Sequence, residues 1–199
     1  MPDQRRIVAR IEELAAKIAD ARDLRQQAAE ETDFLSYAGM KDARQRILST
    51  GIALTRLGDI TKVTSGGTPS REISTFWGGN IPWIKTGELS DGDITGAEEH
   101  ITAEGVGNSS AKIFPEQTIL VALYGQGQTR GRTGRLLISA ATNQACCAIL
   151  PNPARLNSKF VQYWLRSLYL DLREDSHGGA QPNWNGGMIK DLRIRSAVR

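Results

Sequence analysis

Cysteine and histidine are scarce, with two of each among the 199 residues. Cys146 and Cys147 are adjacent inside the apolar run 145–150, a placement that suits small core residues of a strand better than a disulfide or a metal pair. His100 and His177 stand far apart in different loop segments, and no His/Cys cluster has metal-ligand spacing. None of the seven lysines has Asp or Glu two positions before it, so the carboxylate and lysine pairing of many nuclease sites is missing. Gly125-Gln126-Gly127 lacks the third glycine of a dinucleotide fingerprint, and no Gly-Lys-Ser/Thr occurs. Asn152-Pro153-Ala154-Arg155 lacks the aromatic ring that a methyltransferase would stack on a flipped base. The expectation is a chain that is not an enzyme and binds no cofactor. Long apolar runs are absent too, and Met1-Pro2-Asp3-Gln4-Arg5-Arg6 is not followed by a secretory core. That predicts a cytoplasmic protein with no membrane partner.

Glycine and proline are missing from one part of the chain only. Gly39 is the sole glycine of the first fifty residues and nineteen follow it, while no proline lies between Pro2 and Pro69. Ten of the twelve aromatic residues also fall beyond residue 50. This asymmetry divides the chain into a helical module, residues 1–50, and a loop-rich globular domain, residues 51–199. Within the first, Ile7, Ile11, Leu14, Ile18, Ala21, Leu24 and Ala28 recur at spacings of three and four, a narrow coiled-coil seam. A helix over residues 4–38 would run roughly 50 Å. Gly39 is the predicted stop, with a second short helix over 41–49 ended by Gly51. A bare apolar seam of this length calls for a cover, either the chain's own globular part or a partner helix.

The globular part is predicted as a mixed α/β domain with a small, largely antiparallel sheet, making the chain α+β overall. Strands are expected over 55–64, 81–84, 118–123, 136–138 and 145–150, with loops at 105–110, 124–135 and 178–187. A helix should run from Ser158 to about Leu172, turning Phe160, Trp164, Leu168 and Leu172 inward. The net charge is +3, and all of the excess lies beyond residue 50; arginine outnumbers lysine eighteen to seven. A planar guanidinium with several donors suits phosphate and guanine recognition, as well as ordinary solvated surfaces.

The segment 124–135 sets Tyr124, Gln126, Gln128, Arg130 and Arg132 among four glycines. Such a loop can approach a duplex closely. Gln126 or Gln128 could then pair with adenine and Arg130 or Arg132 with guanine; the plainer reading is a solvated hairpin connection. Lys85 and Thr86, just after a predicted strand, and Gln181 and Asn183 in the second glycine-rich segment are further candidates. Arg155, Lys159, Arg166 and Arg173 suit phosphate contacts, which position a protein without specifying sequence.

Several separated motifs recur in order: Leu57-Gly58-Asp59-Ile60, Ser65-Gly66-Gly67-Thr68-Pro69, Trp77-Gly78-Gly79-Asn80-Ile81-Pro82-Trp83-Ile84, and Asn143-Gln144. Together they resemble a target recognition domain of the specificity (S) subunits of type I restriction-modification systems, from about Leu54 to Ile194. Residues 4–14 resemble the start of that family's spacer helix. The resemblance implies half of an S subunit, with one recognition domain and one spacer, that reads a bipartite double-stranded DNA target. Its implied partners are DNA adenine methyltransferase (modification) subunits, which would carry S-adenosylmethionine, a restriction subunit, and a second copy of the chain paired through the N-terminal helix. Two readings from other classes stand beside it: a self-sufficient nucleic-acid-modifying enzyme, and a coiled-coil adaptor whose globular part binds protein.

Overall fold

The computed structural model describes residues 2–124, 129–174 and 184–196. The chain forms two compact units, residues 1–39 and 40–199. A single helix, α1 (Pro2–Ser49), accounts for the first unit and the start of the second. Gly39 does not stop it, contrary to the expectation from sequence. An interior glycine costs a helix only about 1 kcal/mol, and beyond Gly39 the residues Ile47 and Leu48 pack against the main core of the second unit. The stop falls at Gly51, whose φ of +71° follows the last helical turn.

In the second unit the predicted strand over 55–64 is broken. β1 (Thr55–Arg56) gives way to one helical turn, α2 (Leu57–Ile60), before β2 (Val63–Ser65). Gly58 and Asp59 are poor strand formers, and the turn buries both Leu57 and Ile60, three residues apart. β3 (Trp77–Ile84) is longer than expected, and β4 (Asp93–Ile94) and β5 (Glu99–Ile101) follow it. The expected loop at 105–110 begins instead as α3 (Ala103–Gly107), capped by the Thr102 hydroxyl accepting from Gly105 N at 3.1 Å. β6 (Ile113–Phe114), β7 (Ile119–Ala122), β8 (Thr133–Leu136), β9 (Ala140–Thr142) and β10 (Cys146–Ile149) come next. α4 (Ser158–Ser167), α5 (Tyr169–Glu174), α6 (Gly186–Asp191) and β11 (Arg193–Ile194) complete the order. Asn157, not Ser158, caps α4, and the face it buries carries Val161, Trp164 and Leu165. The capping oxygen of Asn157 accepts from Phe160 N at 3.0 Å, and Phe160 and Leu168 pack against the same core as Trp164, as the spacing predicts, while the side chain of Leu172 lies outside the described residues.

The strands make three sheets rather than one: β2-β10-β7-β8-β4, β5-β3-β9-β6 and the pair β1-β11. Pairing is antiparallel except where β3 meets β9 and β4 meets β8. The α+β class expected from the sequence therefore holds, with a second sheet that periodicity did not reveal. The five-stranded sheet is buried on both faces. Ile119, Val121, Leu123, Cys147 and Ile149 face a core shared with Trp164, Leu165 and Ile189 of the helices. Leu120, Ala122, Cys146 and Ala148 face a core shared with Ile84, Phe114 and Ala140 of the four-stranded sheet. Helices, first sheet and second sheet thus stack as three layers.

Cys146 and Cys147 fall on opposite faces of β10, one in each core, and both are free thiols with no exposed surface. Burial pushes the Cys146 thiol well above its ordinary range and that of Cys147 up to about 12. Neither should react with a disulfide reagent such as DTNB at pH 8 in the native protein; both should react after unfolding in guanidinium, giving two equivalents by absorbance. Prompt labelling of the native protein would contradict the strand assignment. Among the described residues, no helix is long and apolar enough to cross a membrane.

Candidate nucleic-acid interface

The glycine-rich segment 124–135 holds most of the β7–β8 connection, and its last three residues already belong to β8, so the strand begins at Thr133 rather than at the expected Leu136. Strand pairing ends at Val121 opposite Thr133, and the hairpin is extended by Ala122 N donating to Arg132 O at 2.9 Å and Gly131 N donating to Ala122 O at 2.9 Å. Gly131 has φ of +85°, a conformation that side-chain-bearing residues rarely adopt. Tyr124 is exposed, and Arg130 and Arg132 flank Gly131 and are half-buried. Gln126, Gln128, Gln181 and Asn183, and the side chain of Arg173, lie outside the described residues.

Two further segments meet the hairpin at this point. On one side Asp91, itself at φ of 63°, clamps Thr133. Its amide donates to Thr133 O at 2.8 Å, and its carboxylate accepts from Thr133 N at 2.8 Å and Thr133 Oγ1 at 2.9 Å. Asp91 belongs to the stretch that follows Lys85 and Thr86, and Leu89 of that stretch shares the core with Leu136 and Ile94. On the other side Tyr169, at the start of α5, and Trp184, just before α6, lie against Gly131. The end of the second glycine-rich segment therefore touches the first.

Lys85 and Thr86 are placed less favourably for reading bases. The Lys85 ammonium bonds Glu98 at 2.9 Å and Glu99 at 3.0 Å, and these two partners raise its pKa. Glu99 is held below the usual carboxylate range by Arg71 first and Lys85 second. Thr86 opens a 3₁₀ turn, Thr86–Glu88. Arg135, the third arginine of the glycine-rich segment, is committed to Asp93 in a two-pronged pair of 2.8 and 2.7 Å. That pair holds the Asp93 carboxyl below its ordinary range and raises the guanidinium. Arg155 instead donates to Ser196 Oγ at 3.3 Å and, with Arg195, Asn157 and Phe160, lines a cavity of about 590 Å³.

The motif residues turn out to be architecture. Gly66 and Gly67 lie against backbone on their α-carbon side, and Gly67 N donates to Thr142 O at 2.9 Å. Trp83 Nε1 donates to Gly67 O at 3.0 Å and Trp77 Nε1 to Ser70 O at 3.0 Å. The two indoles pack edge to face, with centroids 5.1 Å apart, and the Arg71 guanidinium covers Trp77 at 3.6 Å. Thr68 Oγ1 bonds the Gln144 side chain, while Asn143 Oδ1 accepts from Cys146 N at 3.1 Å. Asn143 N also donates to Ile84 O at 3.0 Å. One network therefore ties the end of β3, the end of β9 and the start of β10 together. Arg71, which the sequence reading passed over, is the residue that joins this network to Lys85 through Glu99.

Residues 51–195 match the family model of the type I restriction modification DNA specificity domain. The chain belongs to this family. It is 31% identical over 147 residues to the type I restriction enzyme MjaIX specificity subunit of Methanocaldococcus jannaschii, covering 70% of this chain and 32% of that protein. It is 33% identical over 118 residues to the EcoR124I/EcoR124II specificity subunit of Escherichia coli, covering 58% and 29% respectively. The chain thus spans about a third of the length of these curated specificity subunits. Solved structures share its fold. The HsdS subunit of Thermoanaerobacter tengcongensis has a TM-score of 0.53 at 16% identity, over 98% of this chain and 46% of that one. A chain from a type I R-M system, solved in a study of complex assembly and conformational transition, has a TM-score of 0.58 at 22% identity, over 96% and 46%.

Proposed function

We propose that this specificity-family chain recognises a DNA sequence for a type I restriction-modification system. It would direct adenine methyltransferase subunits, which carry S-adenosylmethionine, and a restriction subunit to a bipartite site, and would itself neither methylate nor cut. The observation that carries the reading is the family match over residues 51–195. The hairpin 124–135, with Arg130 and Arg132 beside a turn supported on both sides, is the best-supported element to meet the duplex, and Tyr124, Gln126 and Gln128 belong to the same connection. Gln181 and Asn183 are kept as candidates because they lie close in sequence to Trp184. Lys85 and Thr86 take a secondary place, because the charge of Lys85 is already satisfied by two carboxylates.

A second copy of the chain, paired through the N-terminal helix, would supply the other half of the target. The support is the row of exposed apolar side chains Ile7, Ile11, Leu14, Ile18 and Leu24 on α1. Symmetry of such a pair would be mirrored in a palindromic split site.

Selection from a randomised duplex library by the full chain, alone and with the methyltransferase subunits of its system, tests the reading. A recurring split sequence is expected, and no enrichment in either setting would refute it. Arg130→Ala should then lose roughly 10- to 100-fold in affinity for the selected site, with tolerance of substitutions at one or two base pairs; a bidentate arginine contact gives about 1–3 kcal/mol of discrimination. Equal weakening on all sequences would assign Arg130 to a phosphate.

A further inference from the structure

We propose that Tyr169 and Trp184 are positioning residues for sequence discrimination: their rings hold Gly131, and through it fix where Arg130 and Arg132 lie. This inference rests on the DNA-recognition reading above and adds to it a mechanical support for the reading turn.

The case begins with Gly131. It is buried, and its positive φ and its contacts make two separate demands for glycine. A β-carbon there would sit 3.2 Å from Tyr169 Cδ2 and 3.4 Å from Trp184 Cη2 and Cζ2. Both rings are almost wholly enclosed, at 4% and 5% exposure. Trp184 is also built into the helix-side core with Val121, Leu123, Trp164 and Ile189, so it is anchored to β7, the strand from which the hairpin springs. Immediately after it Asn185 caps α6 by accepting from Met188 N at 3.0 Å, which fixes the backbone on its C-terminal side. The aromatic pair is therefore a wall against which a β-carbon would be tight by a few tenths of an ångström, in addition to the strain that the positive φ imposes on any residue with a side chain.

The opposite flank of the turn is fixed as well. Asp91 holds Thr133 by three hydrogen bonds, and the backbone bonds of Gly131 and Arg132 to Ala122 lock the turn to β7. Arg130 and Arg132 thus emerge on either side of a point gripped from two directions. That arrangement has a use in base readout that it lacks in phosphate binding. A guanidinium reading a base edge must be placed to within about 0.5 Å and 10–20°, whereas a phosphate contact tolerates adjustment of a long side chain and depends mainly on charge. A support of this kind should matter to discrimination and be nearly irrelevant to affinity for duplex in general.

The test uses the full chain and two duplexes, the sequence that wild type selects from a randomised library and a shuffled version of it. Fluorescence anisotropy gives affinity for each across a salt series, and thermal melting monitors the fold. Gly131→Ala and Trp184→Phe are each expected to lower the ratio of selected to shuffled affinity at least tenfold. The affinity for shuffled duplex and its salt dependence should stay within twofold of wild type. A merely structural role would shift the melting temperature and leave the ratio alone. Should Gly131→Ala not fold, Trp184→Phe decides by itself, since it keeps an aromatic ring in the core and only withdraws the edge that meets the glycine. An unchanged ratio in the folded variants overturns this proposal while leaving the DNA-recognition reading intact. A wild-type chain that prefers no sequence overturns both.

Discussion

Gly67→Ala is expected to destabilise the globular unit by about 3 kcal/mol or more, which for a unit of this size lowers the melting temperature by roughly 6–12 °C. The added β-carbon would lie 2.3 Å from the carbonyl carbon and Oγ of Ser110 and 2.5 Å from Ala111 N. Carbon atoms in contact prefer about 3.5–4.0 Å, so the backbone on one side must retreat by more than an ångström. Neither side is at liberty to do so. Gly67 is bonded through its amide to Thr142 O and through its carbonyl to the Trp83 indole, and Ala111 is buried in the small core with Trp83, Ile101 and Ala141. Gly66→Ala should be at least as damaging, because its β-carbon would meet Thr142 Oγ1 at 2.1 Å and Thr142 O at 2.2 Å. Gly87→Ala and Gly96→Ala meet nothing within 4 Å and serve as controls within about 0.5 kcal/mol of wild type. Urea unfolding measures all four. A Gly67→Ala variant as stable as Gly87→Ala would show that the motif is not the internal brace described above.

Placing aspartate at both Ile11 and Ile18 is expected to abolish self-association of the chain without unfolding the globular unit. Ile7, Ile11, Leu14 and Ile18 are between 43% and 60% exposed although they are large and apolar, and they repeat at coiled-coil spacing. Burying one such side chain contributes about 1.5–3 kcal/mol, and in a twofold pair each substitution acts twice. The double variant should therefore raise the dimer dissociation constant at least a thousandfold, given about 1.4 kcal/mol per decade. Sedimentation equilibrium of wild type and variant reads the effect directly. The flanking polar pairs Arg10–Glu13 at 2.7 Å and Lys17–Glu13 at 2.6 Å are solvated and are left in place. If wild type is already monomeric at about 100 μM, self-pairing is refuted and the exposed row is left to cover by a different protein.

What could be read from the sequence, and what could not, follows a physical line. The long helix, the buried runs of β7 and β10 and the interior fate of the two cysteines were visible because each rests on local periodicity or a dense apolar run. The second sheet was hidden because every strand in it except β3 is short and two of its partnerships are made across long stretches of chain, as where β3 lies parallel to β9. Gly39 misled for the opposite reason: its local cost is real, but the packing of Ile47 and Leu48 outweighs it. The family motifs were the clearest signal of all, and they prove to be braces. Close backbone approach demands glycine wherever it occurs, so the brace stands out in a sequence. Arginine and glutamine side chains that meet a ligand satisfy no such demand within the fold, which is why the candidate reading residues carried the weaker signal. Trp184 was visible as an aromatic in a glycine-rich segment, yet nothing in the spacing of residues pointed to its contact with Gly131.

The five-stranded sheet that carries the hairpin is enclosed on both sides, and its interior is complete by the time the chain has passed Leu123 on one side of the connection and before it reaches Thr133 on the other. Residues between those points can therefore change in identity and number without disturbing either interior, so long as Gly131 keeps its seat. If the proposed DNA-recognition role of this connection holds, exchanging it would give the scaffold new DNA preferences, and the path from one target to another need not pass through unfolded intermediates.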